Sequence, residues 1–386
     1  VNLFIALPVK RAKNKKMKKT LVFATVAILV SVISFMSCKK DDKNDIATPT
    51  LDRAPMLVNY ADNYVIPAYK AMVSDLKTLQ TAANTFIATP DNASLTALRT
   101  AFEKAYITWQ KADVIGFGPA EDVSLRMYMN TYPVTATKVN SNITNGGYDL
   151  EQFGNKDAQG FPAIDYLLNS NTNTIDLFST DAQATARKQY LQAVINKMLQ
   201  KTEGVSNAWA SYRGTFTSAT STDANGSISR LVNAYVLYYE RFLRSGKVGL
   251  PVGAMTGVAK PELTEAYYTP SLTNTLAQQA MSAIIAFYEG KSFDGASSGA
   301  GMKTYLQAIG TKDANGIVMA DVITTKLKQA ETKLQALSTP LKEAVQTKRP
   351  EVLAIYDDMQ QCVPLLKVDM VSAFGISITY TDNDGD

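Results

Sequence analysis

The residues best placed for chemistry lie in the stretch Gly160-Phe161-Pro162-Ala163-Ile164-Asp165-Tyr166-Leu167-Leu168. Asp165 follows Pro162 by three positions, so in a helix the two share a face. Proline is tolerated in the first turn of a helix, where the N–H groups lack intrahelical partners. The Asp165 carboxylate would then meet the positive end of the helix dipole, while Ile164, Leu167 and Leu168 supply an apolar side. Other candidates are sparser. Glu121-Asp122 is a pair of adjacent acids, which point to different faces of a helix and read by default as solvated. Asp382-Asn383-Asp384-Gly385-Asp386 starts like a calcium loop, but no distal bidentate glutamate follows it. It reads first as a solvated tail. Tyrosines in two segments without periodicity, among them Tyr128, Tyr132, Tyr267 and Tyr268, could line a cleft and offer hydroxyls. Cys362 sits in an apolar stretch and reads as core rather than as a nucleophile.

Composition narrows the chemistry further. None of the 386 residues is histidine, which removes the commonest general acid/base and the commonest metal ligand. Zinc sites of the HExxH type, Ser-His-Asp triads and Cys-His dyads are excluded. A metal would need oxygen ligands, which favours hard cations or ferric iron. No nucleophile elbow, Walker loop or dinucleotide fingerprint is present. The formal charge of +4 is misleading, because residues 1–38 hold seven Lys/Arg and no acid. The remainder carries 32 basic against 35 acidic residues, a net −3 that gives no reason to expect nucleic-acid binding.

Met17-Lys18-Lys19 and the apolar run Leu21–Met36 read as a signal peptide over residues 1–37, with 1–16 an upstream mis-start. The run ends in Phe35-Met36-Ser37-Cys38, which resembles a bacterial lipobox with an unusual Phe. Cys38 would be the lipid anchor and 38–55 a charged tether. Helical periodicity takes over near residue 56. Val58, Ala61, Val65, Tyr69, Met72, Leu76, Leu79, Ala83 and Phe86 form one stripe, bent at Pro67. Leu95, Leu98, Phe102, Ala105, Trp109 and Ala112 form a second, capped by Asn92 or Ser94, so the pair makes an antiparallel hairpin. Residues 116–160 show little periodicity, a length that in a compact domain is usually functional. The longest helix starts near Asp181. Another spans Ile228–Leu243 and ends at Arg244-Ser245-Gly246, where Arg241 and Lys247 suit the dipole. A second irregular segment, Lys247–Pro270, follows, and then helices near Ser271–Glu289, Ala320–Gln346 and Pro350–Ala373. The class expected is all-α, with bundles over 56–210 and 211–386.

Four stretches and the tail together resemble the imelysin-like proteins, bacterial envelope proteins first described as peptidases and as iron-regulated proteins. Trp109-Gln110 through Gly116-Phe117-Gly118-Pro119 is similar to a family segment ending F-G-P. Arg126-Met127-Tyr128 with Tyr132-Pro133 is similar to its R-x-N-F-W-P run. Gly160–Leu168 lies where the family carries G-x-H-x-x-E. Lys247–Gly253 resembles K-x-G-x-P-x-G, and Asp384-Gly385-Asp386 a D-G-D ending. The resemblance implies two helical bundles with approximate internal symmetry and a cleft between them. That cleft would be lined by Gly118, Pro119, Arg126, Tyr132, Gly160, Pro162, Asp165, Lys247, Gly249 and Pro251. In the family motif His and Glu three apart could share a metal. Here Pro162 and Asp165 stand in those places, leaving Asp165 as the one candidate ligand for iron or another oxygen-ligated metal. The expectation is a non-catalytic outer-membrane lipoprotein, periplasmic or surface-facing, that binds iron, haem or a siderophore. A metal-dependent peptidase and a protein that docks an envelope partner are the alternatives.

Overall fold

The computed structural model describes residues 51–381. The expected signal peptide, the Cys38 anchor, most of the tether and the Asp382–Asp386 tail lie outside these residues. The chain opens with α1 (Ala54–Asn59), a π-helical segment (Tyr60–Val65) and α2 (Ile66–Ala88) in one continuous run. Then come α3 (Asn92–Ala112), α4 (Pro119–Asp122), α5 (Leu125–Met129), α6 (Ala136–Asn145), α7 (Gly160–Asn169), α8 (Thr174–Ser179) and α9 (Ala184–Ser218). After a break come α10 (Ser227–Leu237), a second π segment (Tyr238–Gly249) and α11 (Leu250–Val252). The chain continues through α12 (Pro270–Tyr288), α13 (Met302–Ile309), α14 (Met319–Gln335), α15 (Leu341–Thr347) and α16 (Arg349–Pro364). A third π segment (Leu365–Met370) and α17 (Val371–Ala373) complete the order. Among the described residues there is no strand, only two isolated bridges, Lys291–Ser298 and Lys312–Val318. No described helix is long and apolar enough to cross a membrane. The all-α class is as the periodicity indicated.

The two apolar stripes do form a hairpin, α2 against α3, and both stripes are buried except Val58. Each fully buried Leu or Phe contributes roughly 1.5–3 kcal/mol relative to exposure. The cap of α3 differs from the two residues read from sequence. Asp91 is the N-cap: it accepts from Ser94 N at 2.8 Å, and Ser94 Oγ accepts from Asp91 N at 3.2 Å, a reciprocal capping box. Helix α9 lies along α2, and α12 lies against both α3 and α14. The ring of Tyr60 stacks on Phe287 at 4.4 Å and ties the start of the described chain to α12. Core residues from before and after residue 210 form one buried cluster.

Three sequence boundaries shift. Residues 116–160 hold α4, α5, α6 and a 3-10 segment (Phe153–Ala158), too short to leave a periodic trace. The helix after Ile228 does not stop at Arg244-Ser245-Gly246; it runs on as the π segment and α11 until Gly253, whose φ of 67° supplies the left-handed stop. Pro251 lacks the N–H that would bond one turn back and would crowd that carbonyl, and the wider π turn lies directly before it. Pro67 likewise follows a π segment, whereas Pro364 precedes one. The stretch 320–346 is divided by Ser338-Thr339-Pro340 into α14 and α15.

Candidate functional site

Helix α7 starts at Gly160 and carries Pro162 in its first turn, as read from the sequence. Gly160 has φ +73°, and a Cβ there would lie 2.4 Å from the Met129 carbonyl oxygen. Only glycine lets α7 start this close to α5. Pro162 and Asp165 then face a cavity of about 280 Å³ lined also by Tyr132, Pro133, Val134, Glu262, Thr264, Ala266, Tyr267 and Tyr268. Both irregular segments therefore meet the motif helix at one place. Tyr268 packs edge-on against Tyr166 at 5.3 Å and Tyr267 at 5.1 Å, which fixes that aromatic wall. The Thr264 hydroxyl is buried at this wall without a hydrogen-bond partner.

Asp165 is 1 % exposed. Its Oδ1 accepts from Thr269 Oγ1 at 2.6 Å and Asn169 Nδ2 at 3.1 Å, and its Oδ2 accepts from Tyr268 N at 2.9 Å. Burial pushes its pKa up, and these three donors and the Lys342 charge oppose the shift. The dipole argument needs correcting. Asp165 lies beyond the first turn of α7, which holds no acid. Its carboxylate instead sits where Thr269 precedes Pro270, at the positive end of α12. It acts as a latch between α7 and α12.

Behind Tyr132 lies a buried polar centre. Glu265, 3 % exposed, is ion-paired with Lys247, 2 % exposed. Its Oε1 also accepts from Asn130 Nδ2 at 2.6 Å and Gln110 Nε2 at 3.1 Å. Tyr106 donates to Asn130 Oδ1 at 2.8 Å. The Lys247 ammonium lies 6.0 Å from the Tyr132 ring centroid. Burial, reinforced by Glu265, raises the Tyr132 hydroxyl pKa well above the ordinary phenol value, so that hydroxyl stays protonated. A second pair adjoins this one. Arg126 Nε donates to Asp113 Oδ1 at 2.7 Å and Nη2 to the Asp113 carbonyl at 2.8 Å, with its guanidinium 3.4 Å from the Phe242 ring centroid. Burial raises the Asp113 pKa against the pull of Arg126.

The ten cleft residues inferred from sequence thus divide. Tyr132, Pro162 and Asp165 share the cavity; Gly160 places their helix, and Lys247 sits behind Tyr132. Arg126 lines a different cavity of about 250 Å³, with Asp113 and Glu121. Gly118 abuts the Tyr212 ring, and Pro119 begins α4. Gly249 borders a third, smaller cavity, where a Cβ would lie 2.7 Å from the Tyr356 ring; Pro251 is buried within α11. The sequence singles out neither Glu265, Asn130 nor Thr264, and reaches Gln110 only within the family-like segment. Each is a lone polar residue in sequence, and only the fold converges them.

The donor set at Asp165 does not fit a metal. A cation needs unshared oxygen lone pairs converging from several ligands, whereas three hydrogen-bond donors already point at this carboxylate. Pro162 offers no ligand atom, and no cluster of three His, Cys, Asp or Glu able to hold a metal occurs among the described residues.

Comparison with known proteins gives one consistent result. The chain is 23% identical over 329 residues to iron-regulated protein A of Synechococcus elongatus, covering 80% of this chain and 85% of that one. An imelysin-like protein from Psychrobacter arcticum 273-4 superposes with a TM-score of 0.64 at 18% identity, over 84% of this chain and 96% of that chain. An iron-regulated protein A precursor from Parabacteroides distasonis superposes with a TM-score of 0.64 at 16% identity, over 83% and 94%. At these identities the structural matches speak for the fold. The imelysin family model itself matches residues 65–361, a span that includes both irregular segments and the latch, and the chain belongs to the imelysin family.

Proposed function

We propose that this chain is a non-catalytic, ligand-binding member of the imelysin family that serves iron acquisition at the bacterial envelope, held there by lipid on Cys38. The observation that carries the reading is the latch. The acid at the family's motif position is occupied by Thr269, Tyr268 N and Asn169. A carboxylate held by three donors stabilises the wall between α7 and α12, which supports a binding rather than a catalytic role. What remains open is a cavity with three tyrosine rings, two prolines, an unpartnered hydroxyl and the Glu262 carboxylate, the mixture of apolar faces and few polar groups typical of small-molecule sites. Its 280 Å³ lies just below the roughly 300–1,000 Å³ usual for drug-sized ligands. That size suits a compact iron chelate better than a whole haem. Calorimetric titration with ferric ion, haem and siderophores tests the reading. Heat with a chelate supports it; metal-dependent cleavage of unfolded polypeptide, lost in Asp165→Ala, would replace it with the peptidase reading.

A second reading, docking of an envelope protein, is favoured by one surface. Leu250, Met255 and Val258 are exposed within nine residues, on a loop closed by the Lys260 N to Pro251 O bond at 2.7 Å and braced by Arg349.

A further inference from the structure

A polar cavity of about 260 Å³ lies apart from the latch, where α6, α7, α8 and the start of α9 converge. Its lining includes Asn140, Thr144, Ser170, Asn171, Gln183 and Arg187, with no carboxylate among them. The Arg187 guanidinium makes no ion pair or hydrogen bond among the described residues, and its Nε is buried without a partner. A guanidinium carries five N–H donors in a planar fork and stays charged at any physiological pH. Leaving a buried donor of this kind empty costs free energy, and an acceptor supplied from outside would recover it. The neighbouring side chains are of the same character. Thr144, Ser170 and Gln183 can donate, and none makes a side-chain hydrogen bond to another described residue. Gln183 also marks the N-terminus of α9, a 35-residue helix with no acid in its first turn and no side-chain cap. The Asp181 carboxylate accepts from Gln183 N at 2.8 Å and already answers the positive end of that helix, so the charge in the cavity comes from Arg187.

We propose that this cavity is an oxyanion site, taking a carboxylate or phosphate group of a small polar molecule on Arg187, with the hydroxyls and amides around it meeting the molecule's remaining polar groups. Two features converge on an anion: one unpaired cation with a buried donor, and a cavity lining without acids. The volume exceeds that of a bare ion, so the molecule carries more than its charged group. This cavity and the latch cavity share no lining residue.

The test is calorimetric titration of the purified full chain with inorganic phosphate, citrate, glucose and choline at low ionic strength, repeated on Arg187→Gln and Arg187→Lys. The expected result is binding of phosphate or citrate that weakens at least tenfold in Arg187→Gln, partly returns in Arg187→Lys, and falls with added salt. Phosphate and citrate separate the two sources of the oxyanion. Lys312→Gln, which removes an exposed positive charge outside both cavities, serves as a control and leaves this affinity unchanged. Absence of heat with both anions would overturn the proposal. So would anion binding indifferent to Arg187→Gln, or glucose binding as tightly as citrate, which would make the cavity a polyol site. Circular dichroism of the Arg187 variants confirms that a lost signal is not lost fold.

Discussion

Replacing Lys247 by Met removes the cation from the buried centre behind Tyr132 and leaves the Glu265 carboxylate 3 % exposed without its counter-charge. The methionine stem replaces most of the lysine's apolar volume, so little of the effect is packing. Gln110 and Asn130 still donate to Oε1, but Oε2 loses its partner. Breaking a buried ion pair by removing one member costs about 3–5 kcal/mol, because a charge remains without compensation. With a urea slope of about 3 kcal/mol/M, as a chain of this size would show, the midpoint should fall by about 1–1.7 M. Glu265→Gln in the same background removes the stranded charge. The double variant should recover about 2 kcal/mol relative to the sum of the single changes, a coupling readable from a double-mutant cycle. Urea unfolding followed by the fluorescence of Trp109 and Trp209, both buried, measures all four proteins. A Lys247→Met midpoint within about 0.2 M of the parent, one-fifth of the smaller expected shift, would refute the reasoning. It would mean that water reaches Glu265 and that the wall holding Tyr132 does not depend on the pair.

Further expectations concern the latch and the surface charges. Asp165→Ala leaves the Tyr268 N–H and the Thr269 hydroxyl without an acceptor and should cost about 2–4 kcal/mol, measured by thermal unfolding. Because burial raises the Asp165 pKa in the folded state, its protonated form is the one folding favours. Its contribution is fully present below the unfolded value and is lost as pH rises through the folded one. The stability gap between parent and Asp165→Ala should therefore widen on going from neutral pH into acid. Glu151 has the opposite sign. Lys197, Tyr128 and Lys201 hold its pKa down at about 2, so its stabilisation is present above the unfolded value and lost as pH falls through about 2. Since the side chain is 44% exposed, Glu151→Gln should flatten the acid limb only slightly, and less so at high salt. Gly160→Ala puts a Cβ 2.4 Å from a carbonyl oxygen at φ +73° and should cost more than about 2 kcal/mol, with loss of any ligand affinity in the latch cavity.

How much of this was legible beforehand depended on the range of the interactions. The α2–α3 hairpin was readable because stripes at three- and four-residue spacing report local burial, and Pro162 marked the start of α7 by the same local logic. The helix through Lys247 runs past the stop expected from sequence, because Arg244-Ser245-Gly246 carries ordinary stop signals. The chain overrides them with a π segment, whose turn the three- and four-residue rule cannot anticipate. Tyr132, Tyr267 and Tyr268 could be picked out as cleft-lining because they fall in segments without periodicity. Glu265 and Asn130 could not, since each pairs with residues more than a hundred positions away or on another helix. Arg187 is equally silent in sequence. Only the absence of a partner around its guanidinium sets it apart.

On the proposed reading, the cavity beside Asp165 holds a ligand. The most direct measurement is calorimetric titration of the parent chain and of Val134→Trp with a compact ferric chelate, since Val134 lines the cavity and the larger indole would fill it. Saturable heat is expected for the parent and none for a folded Val134→Trp. Equal binding by both proteins would place the ligand elsewhere and contradict that reading.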